Sequence, residues 1–492
     1  MPKATRQPGV LLGLALGFGI LGDLLFRAPG LGLNAALWIW GMTGAWIWAR
    51  RGGPGGLPRG EQLLLGAALL VGFGFLARDA ELLHLLDAAA LVGLAILLPL
   101  AAQGEPRVWS PAGLVRGAGE LVARGVAGLI PLALDVRRAD AGRTARAARV
   151  ASALLRGVVI TIPVLVVFGG LLAAADPSFE RFLARLVRWD LDRVASHAAG
   201  TLAGAWLSAG FLSGVLPRVA PVPATASRPG AGGLGALEIL VPLGSLDLLF
   251  AAFIAFQIPY LFGGHAFVLA TGGLSLAEYA RRGFFELVLA SALVLPLLLA
   301  LGARLAEEGP ARLVYRVLAG IQVGLMLAII GSALHRMLIY QREYGLSTDR
   351  FYATAFEVGL AATLLWFAAT ELRGRSRQFV PGALGAWAAW LVLLHLVNPD
   401  RVVVEVNVRR AEQGRALDVA YLSRLSADAV PALVAKLDRL EPDARAALRS
   451  ALVTRWHAEA PAPGASFRGD LRSWNRARAR AAAAVGALAG SP

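Results

Sequence analysis

The residue with the clearest chemical potential is Asp247, a carboxylate inside an apolar stretch. It lies in Pro242-Leu-Gly244-Ser245-Leu-Asp247, with Gln257 and Pro259 further along. Charges in hydrocarbon are costly, and those retained usually face a cavity or a partner. Proline and glycine beside a mid-span carboxylate fit a broken helix lining a binding site. The plainer alternative is a buried, hydrogen-bonded aspartate that fixes helix packing. A second group follows once apolar runs are laid out: Asp23, Asp87, Glu286, His335, Arg336, Glu357 and His395 all fall toward the same end of their runs. Together they would form a polar layer near one membrane face, with Arg336 as counter-ion for Glu286 or Glu357. Taken singly, such groups are tolerated near a boundary, where long side chains reach water.

Two loop segments flank this layer. In Glu278-Tyr279-Ala-Arg281-Arg282-Gly-Phe-Phe-Glu286, residues 278 and 282, then 282 and 286, are four apart and can pair on a helix. The other runs from His335-Arg336 through Tyr340, Glu343 and Tyr344 to Asp349-Arg350. Arginine, tyrosine and carboxylate at one membrane face could bind an anionic head group or a peptide, with Arg281, Arg282, Tyr340 and Tyr344 as contacts. More often such residues lock loops together.

Other chemistry lacks its residues. The chain has no cysteine, which excludes disulfides, thiolate metal sites and cysteine nucleophiles. His84, His197, His265, His335, His395 and His457 show no helical ligand spacing, so no metal is expected. Phosphate-binding loops, HExxH pairs, GxSxG elbows and dinucleotide glycine fingerprints are missing. Neither a cofactor nor a recognisable catalytic motif is expected, which leans away from an enzyme.

The elements that must position these groups follow from composition. Of 492 residues 57% are apolar and only 16% charged, against about 45–50% and roughly 25% in soluble domains. Apolar runs near the ~20-residue spanning length recur almost throughout. They fall near 9–26, 31–49, 62–77, 82–102, 150–175, 197–216, 236–262, 284–303, 313–340, 351–371 and 379–397. The expected fold is all-α: a polytopic transmembrane bundle of about 11 spans over 1–397, with a small, mainly helical extramembrane domain over 398–492. The net charge of +15 suggests a nucleic-acid binder, but the arginines cluster in short connections between apolar runs, so nucleic acid is not an expected partner. Their bias, heaviest over 107–149, puts the N-terminus in the cytoplasm and the C-terminal domain outside. Lys3 and Arg6 ahead of the first run read as a retained first span, without a clear cleavage site.

Residues 113–130 and 179–194 are amphipathic at helical spacing and read as interfacial helices. The first, followed by Arg137, Arg138, Arg143, Arg146 and Arg149, would contact anionic lipid. In the tail, Asn398-Pro399-Asp400 is a helix start, with a capping side chain, proline at the first position and an acid by the positive end. The β-branched residues of 402–408 allow a short strand to compete. Further helices are expected from Ser426 to Leu440, from Glu441-Pro442-Asp443 through Trp456, and from Ser473 onward. So few apolar residues imply packing on the membrane part or on a protein partner.

Four segments carry a family resemblance: LGSLDLLFAAFIAFQIPYLFGG, EYARRGFFEL, HRMLIYQREYGLSTDRFYA, and NPD followed by LDVAYLSRLSADAVPALV. Across about 150–480 the chain resembles bacterial domain-of-unknown-function family 4173. The resemblance implies a bacterial inner-membrane protein without an assigned activity, and no catalytic residues. Three functions compete: a transporter or lipid- or ion-handling protein using Asp247 and the outer layer; a scaffold or envelope sensor presenting its C-terminal domain; and an intramembrane enzyme on a lipid-linked substrate, using Glu286, His335 and Glu357. Eleven spans exceed what an anchor needs, which favours the first.

Overall fold

A computed structural model describes residues 8–50, 56–102, 119, 191–212, 236–262, 284–303, 305, 309–456 and 470–489. Among them every regular element is helical: α1 Pro8–Phe26, α2 Leu33–Arg50, α3 Arg59–Ala77, α4 Glu81–Ala101, α5 Leu191–Leu212, α6 Ala236–Phe262, α7 Phe284–Ala303, α8 Pro310–Tyr344, α9 Thr348–Thr370, α10 Ser376–Val397, α11 Pro399–Glu412, α12 Val419–Ser423, α13 Val430–Lys436, α14 Pro442–Trp456 and α15 Arg476–Ala489. By length and composition six of these, α1, α3, α4, α8, α9 and α10, are long and apolar enough to cross a membrane. Helices α2 and α5 occupy two other expected runs without meeting that standard. Helices α6 and α7 occupy two more, with shorter apolar stretches, Val241–Ala252 and Leu293–Gly302, among the described residues. The run at 150–175 lies outside the described residues, as do the amphipathic segment near 113–130, apart from Gly119, and the segment at 179–194, apart from its last residues. Eleven spans are therefore not established. Helix α6 also runs unbroken through Pro242 and Gly244, so the expected interruption beside Asp247 is absent.

The apolar helices pack in two groups. Helices α1 to α5 share small clusters: Ala15, Met42, Ala45, Ala205 and Ala209 in one, and Ile39, Ala68, Val71, Phe75 and Leu94 in another. Gly19 and Gly204 let α1 and α5 approach until a Cβ on Gly19 would lie 2.4 Å from the Thr201 carbonyl oxygen. Helices α6 to α10 share a larger core that includes Leu243, Leu298, Tyr315, Met326, Leu364 and Phe367. Ala80, Leu83 and Leu394, with Tyr352 and Trp390, join α4 to α9 and α10. At the end of α2 away from the C-terminal helices, Glu61 is fully buried, accepting from Trp46 Nε1 at 2.7 Å and from Arg50 at 3.0 and 3.1 Å.

Helices α11 to α15 build their own apolar cluster from Val403, Val404, Val408, Leu433, Leu448, Leu452, Trp456 and Val485. It also takes in Leu346 from the α8–α9 turn. The β-branched run at 402–408 is helix, not strand. Val403, Val404 and Val408 lie on the buried face, and burial worth about 1.5–3 kcal/mol per side chain outweighs a weak local preference. Asn398 starts α11 as its residue type suggests: its side chain accepts from the Arg401 N–H at 3.2 Å, with Pro399 next. Helix α15 begins later than Ser473, because Asn475 Oδ1 accepts the Ala477 and Arg478 N–H groups at 2.8 and 3.3 Å.

These helices sit on the ends of α1, α3, α8 and α10, where the turns at 27–32, 78–80 and 345–347 gather. Helix α8 has 35 residues, about 52 Å at 1.5 Å per residue, against a hydrocarbon core of ~30 Å. Its last carbonyls, on Gln341, Arg342 and Glu343, accept from Arg410 of α11. That guanidinium satisfies acceptors which a helix terminus otherwise leaves open. Gly345 follows at φ +77°, where a Cβ would lie 2.3 Å from Asn407 Oδ1.

Candidate functional site

The densest polar arrangement lies where α3, α4 and α10 meet the C-terminal helices. Helix α3 ends at Ala77, and α4 starts after Ala80, which has no side-chain oxygen to cap it. A residue some 350 positions away takes that role. Asp428 Oδ2 accepts the backbone N–H groups of Asp79 and Ala80 at 2.6 and 3.1 Å. Its Oδ1 accepts from Arg78 at 3.1 Å. A carboxylate at the positive end of α4 is favourably placed. Arg78 also donates to the His395 carbonyl in the last turn of α10, while its own carbonyl accepts from Asn475 Nδ2 at 2.5 Å and lies 2.9 Å from His84 Nε2. One arginine thus ties three helix ends together. Asp79 pairs with Arg478 at 3.1 Å, and fully buried Asn475 also donates to the Phe75 carbonyl at 2.8 Å.

The lower edge of this junction is a carboxyl–imidazole pair. Asp87 of α4 is fully buried, with Oδ1 2.9 Å from His395 Nε2. Gly74 of α3 makes room for it: a Cβ there would lie 2.7 Å from His395 Nε2 and 3.0 Å from Asp87 Oδ2. Among the described residues, Asp87 Oδ2, His395 Nδ1 and the buried Tyr352 hydroxyl have no hydrogen-bond partner. A carboxyl and an imidazole at this distance can hold a proton between them and pass it on. On the C-terminal side, Asp400 accepts from the Ser426 hydroxyl and, at 3.2 Å, from the Ser426 N–H. Burial pushes its carboxyl above the usual range, against the opposing effect of those bonds.

The residues singled out by sequence are spread more widely. Asp247 is buried on the α6 face that continues from Leu243 to Phe250 and Ile254, both packed on the α8 core. Neither of its oxygens has a hydrogen-bond partner among the described residues. Glu357 on α9 is 1% exposed, again with both oxygens unpartnered among those residues. Gln341 on α8 bonds Thr354 on α9 at 3.0 Å, so the antiparallel register sets Glu357 close to the level of Arg336. No ion pair joins them. His335 is exposed and Arg336 half-buried. Glu286 lies in α7, with its side chain outside the described residues, and Arg281 and Arg282 lie outside them altogether. Tyr340 and Tyr344 pack at 5.0 Å, and Arg350 covers Tyr340 at 4.0 Å while donating to the Tyr344 and Gly345 carbonyls. This contact locks the α8–α9 turn, though Tyr344 stays exposed.

Asp87 and His395 were expected in the polar layer, and they meet. Asp23 also belongs to that end, bonded to Arg27 at 2.8 Å and to His197 at 2.5 Å. An open apolar groove on α2 and α3, lined by Trp40, Leu63, Ala67, Leu70 and Phe73, includes none of the predicted residues. Sequence reasoning missed Arg78, Asp428 and Asn475 as a unit. The available signals were weak: an arginine between two apolar runs, and an aspartate that reads as a local helix start.

A family profile described as Domain of unknown function (DUF4153) matches residues 65–435. That range spans most of the helices from α3 to α13, including Arg78, Asp87, Asp247, Glu357, His395 and Asp428. The kind of family expected from the resemblance is therefore the kind found, but the number 4173 is not confirmed. No curated protein and no solved structure matches the chain.

Proposed function

The chain belongs to the DUF4153 family of domains of unknown function, and from that premise we propose a transporter-like membrane protein that handles an ion or small solute through protonation of buried carboxyl groups. The observation that carries this reading is the state of Asp247 and Glu357. Both are buried in apolar helices, and neither meets a cation or donor among the described residues. An isolated carboxyl in hydrocarbon costs much less neutral than ionised, so it is suited to taking up and releasing a proton as its surroundings change. The Asp87–His395 pair would serve the same traffic at the end of the bundle covered by the C-terminal helices. About eleven spans over 1–397, the bacterial inner membrane, a cytoplasmic N-terminus and an extracytoplasmic domain over 398–492 belong to this proposal. Glu286, His335 and Arg336 would complete the polar layer, and the arginine-rich connection would lie on anionic lipid.

The test is proton flux into vesicles that contain the purified protein and a trapped pH-sensitive dye, driven by a potassium diffusion potential. Flux above protein-free vesicles is expected, with at least a tenfold loss, roughly 1.4 kcal/mol in barrier, in Glu357→Gln or Asp247→Asn. Wild-type flux in both folded variants, or none in the native protein, overturns the reading. A second reading, a scaffold presenting residues 398–492 to an envelope partner, rests on the separate apolar cluster of α11 to α15. It requires that removing those helices abolish the cellular phenotype while Asp247→Asn leaves it intact.

A further inference from the structure

The short 3₁₀ turn Leu471–Ser473 precedes α15 and leaves Leu471 68% exposed. The turn is firmly held. Asp470 accepts the Arg472 N–H at 3.0 Å and its guanidinium at 2.9 Å, and the Asp470 carbonyl accepts the Ser473 N–H at 2.9 Å. It is also fixed to the membrane helices. Arg472 donates to the carbonyl of Leu24 in the last turn of α1, and the Trp474 carbonyl accepts the Leu33 N–H at 2.8 Å. The α1 end beside it presents an apolar side to the outside: Ile20, Leu21, Leu24 and Phe26 are 39–54% exposed, and Leu31 follows at 36%. Helix α1 is one of those long and apolar enough to cross a membrane, so these side chains belong to its lipid-facing surface. Leu471, next in the chain to the Arg472 that holds the Leu24 carbonyl, is exposed beside this end of α1 from a segment far away in sequence.

We propose that the Leu471 turn is a membrane-contact point, at which Leu471 enters the acyl-chain boundary of the phospholipid bilayer beside the last turn of α1. Arg472, with its side chain 41% exposed and paired to Asp470, sits at head-group level, where an arginine keeps its charge in water while its stem lies on apolar surface. The C-terminal helices are then fastened in two ways: to helix ends, through Asp428, Arg78 and Arg410 among others, and to lipid through Leu471. This inference needs only that α1 is embedded, and stands apart from any solute the protein handles.

The absence of cysteine makes the test direct. Leu471→Cys in the full chain is labelled with a nitroxide and reconstituted in vesicles of phosphatidylcholine and phosphatidylglycerol. Its accessibility to oxygen, which concentrates in lipid, is compared with that to a water-soluble nickel chelate. Asp438→Cys, at a side chain 98% exposed, is the aqueous reference. Oxygen access is expected to exceed nickel access at 471, with the order reversed at 438. Nickel access at 471 equal to that at 438 overturns the proposal, as does exclusion of both reagents, which would mean that protein covers the turn. Leu471 is exposed, so its replacement removes nothing from the cores described above.

Discussion

Replacing Asp428 with alanine tests how much one buried carboxylate contributes, beside Arg410 and Asn475, to fastening the C-terminal helices on the membrane helices. Its side chain is 3% exposed and its Arg78 partner 21%. The substitution removes three hydrogen bonds to a charged group, two of them from the backbone N–H groups of Asp79 and Ala80. Breaking a buried pair by removing one partner costs about 3–5 kcal/mol. Water reaches Arg78 in part, so the lower end, about 3 kcal/mol, is the appropriate figure. That corresponds to a roughly 100-fold shift toward the undocked state. Hydrogen exchange measured by mass spectrometry on the whole protein in lipid nanodiscs reads it directly: amide protection in α11 and around the 78–80 turn should fall by about that factor, with the middle of α8 unchanged. Asp438→Ala, which breaks an exposed pair with Arg445 at 3.8 Å, supplies the comparison and should change protection less than about threefold. If Asp428→Ala behaves like Asp438→Ala, the carboxylate does not hold the junction and the reasoning fails.

Gly74→Ala should separate Asp87 from His395, because the new methyl would lie 2.7 Å from Nε2; a loss of about 1–3 kcal/mol is expected in thermal unfolding, with little effect from Gly13→Ala, where nothing lies within 4 Å. Asp400 gives a pH dependence of defined sign. Burial raises its folded value above that of the unfolded chain, so the folded state binds the proton more tightly. Its contribution is therefore full at low pH and lost as pH rises through the folded value. Unfolding of Asp400→Asn followed across that window should show a smaller decline with pH than the native chain, and an unchanged profile would refute the assignment.

The long apolar helices were legible because membrane insertion requires an unbroken apolar length, and α6, α7 and α10 end within a few residues of their expected limits. Asn398 was legible because capping is local chemistry. The strand expected over 402–408 failed because the buried faces of Val403, Val404 and Val408 are defined by helices elsewhere in the chain. The site was only half readable. Asp87 and His395 each stood out as polar groups in apolar runs, but their pairing spans 308 residues and no local pattern encodes it. Asp428 could not be recognised as the cap of α4, because the signal for a cap supplied from a distant segment lies only in the missing oxygen at Ala80. For Arg336 the expected partnership was with Glu286 or Glu357 and followed from shared depth. Glu357 does not pair with it, the Glu286 side chain lies outside the described residues, and shared depth alone does not set which way each side chain turns.

Helix α8 is longer than the bilayer is thick, and Arg410 grips its far end. Its uncharged stretch between Arg316 and His335 is 18 residues, about 27 Å at 1.5 Å per residue, close to the ~30 Å of a hydrocarbon core, so an embedded α8 carries its surplus length beyond that layer. The C-terminal helices hold that projecting end through Arg410 and the ends of α4 and α10 through Asp428 and Arg78, so the three helix ends and the C-terminal helices are tied to move together. Arg410 is then the joint through which a movement of α8 reaches the C-terminal helices.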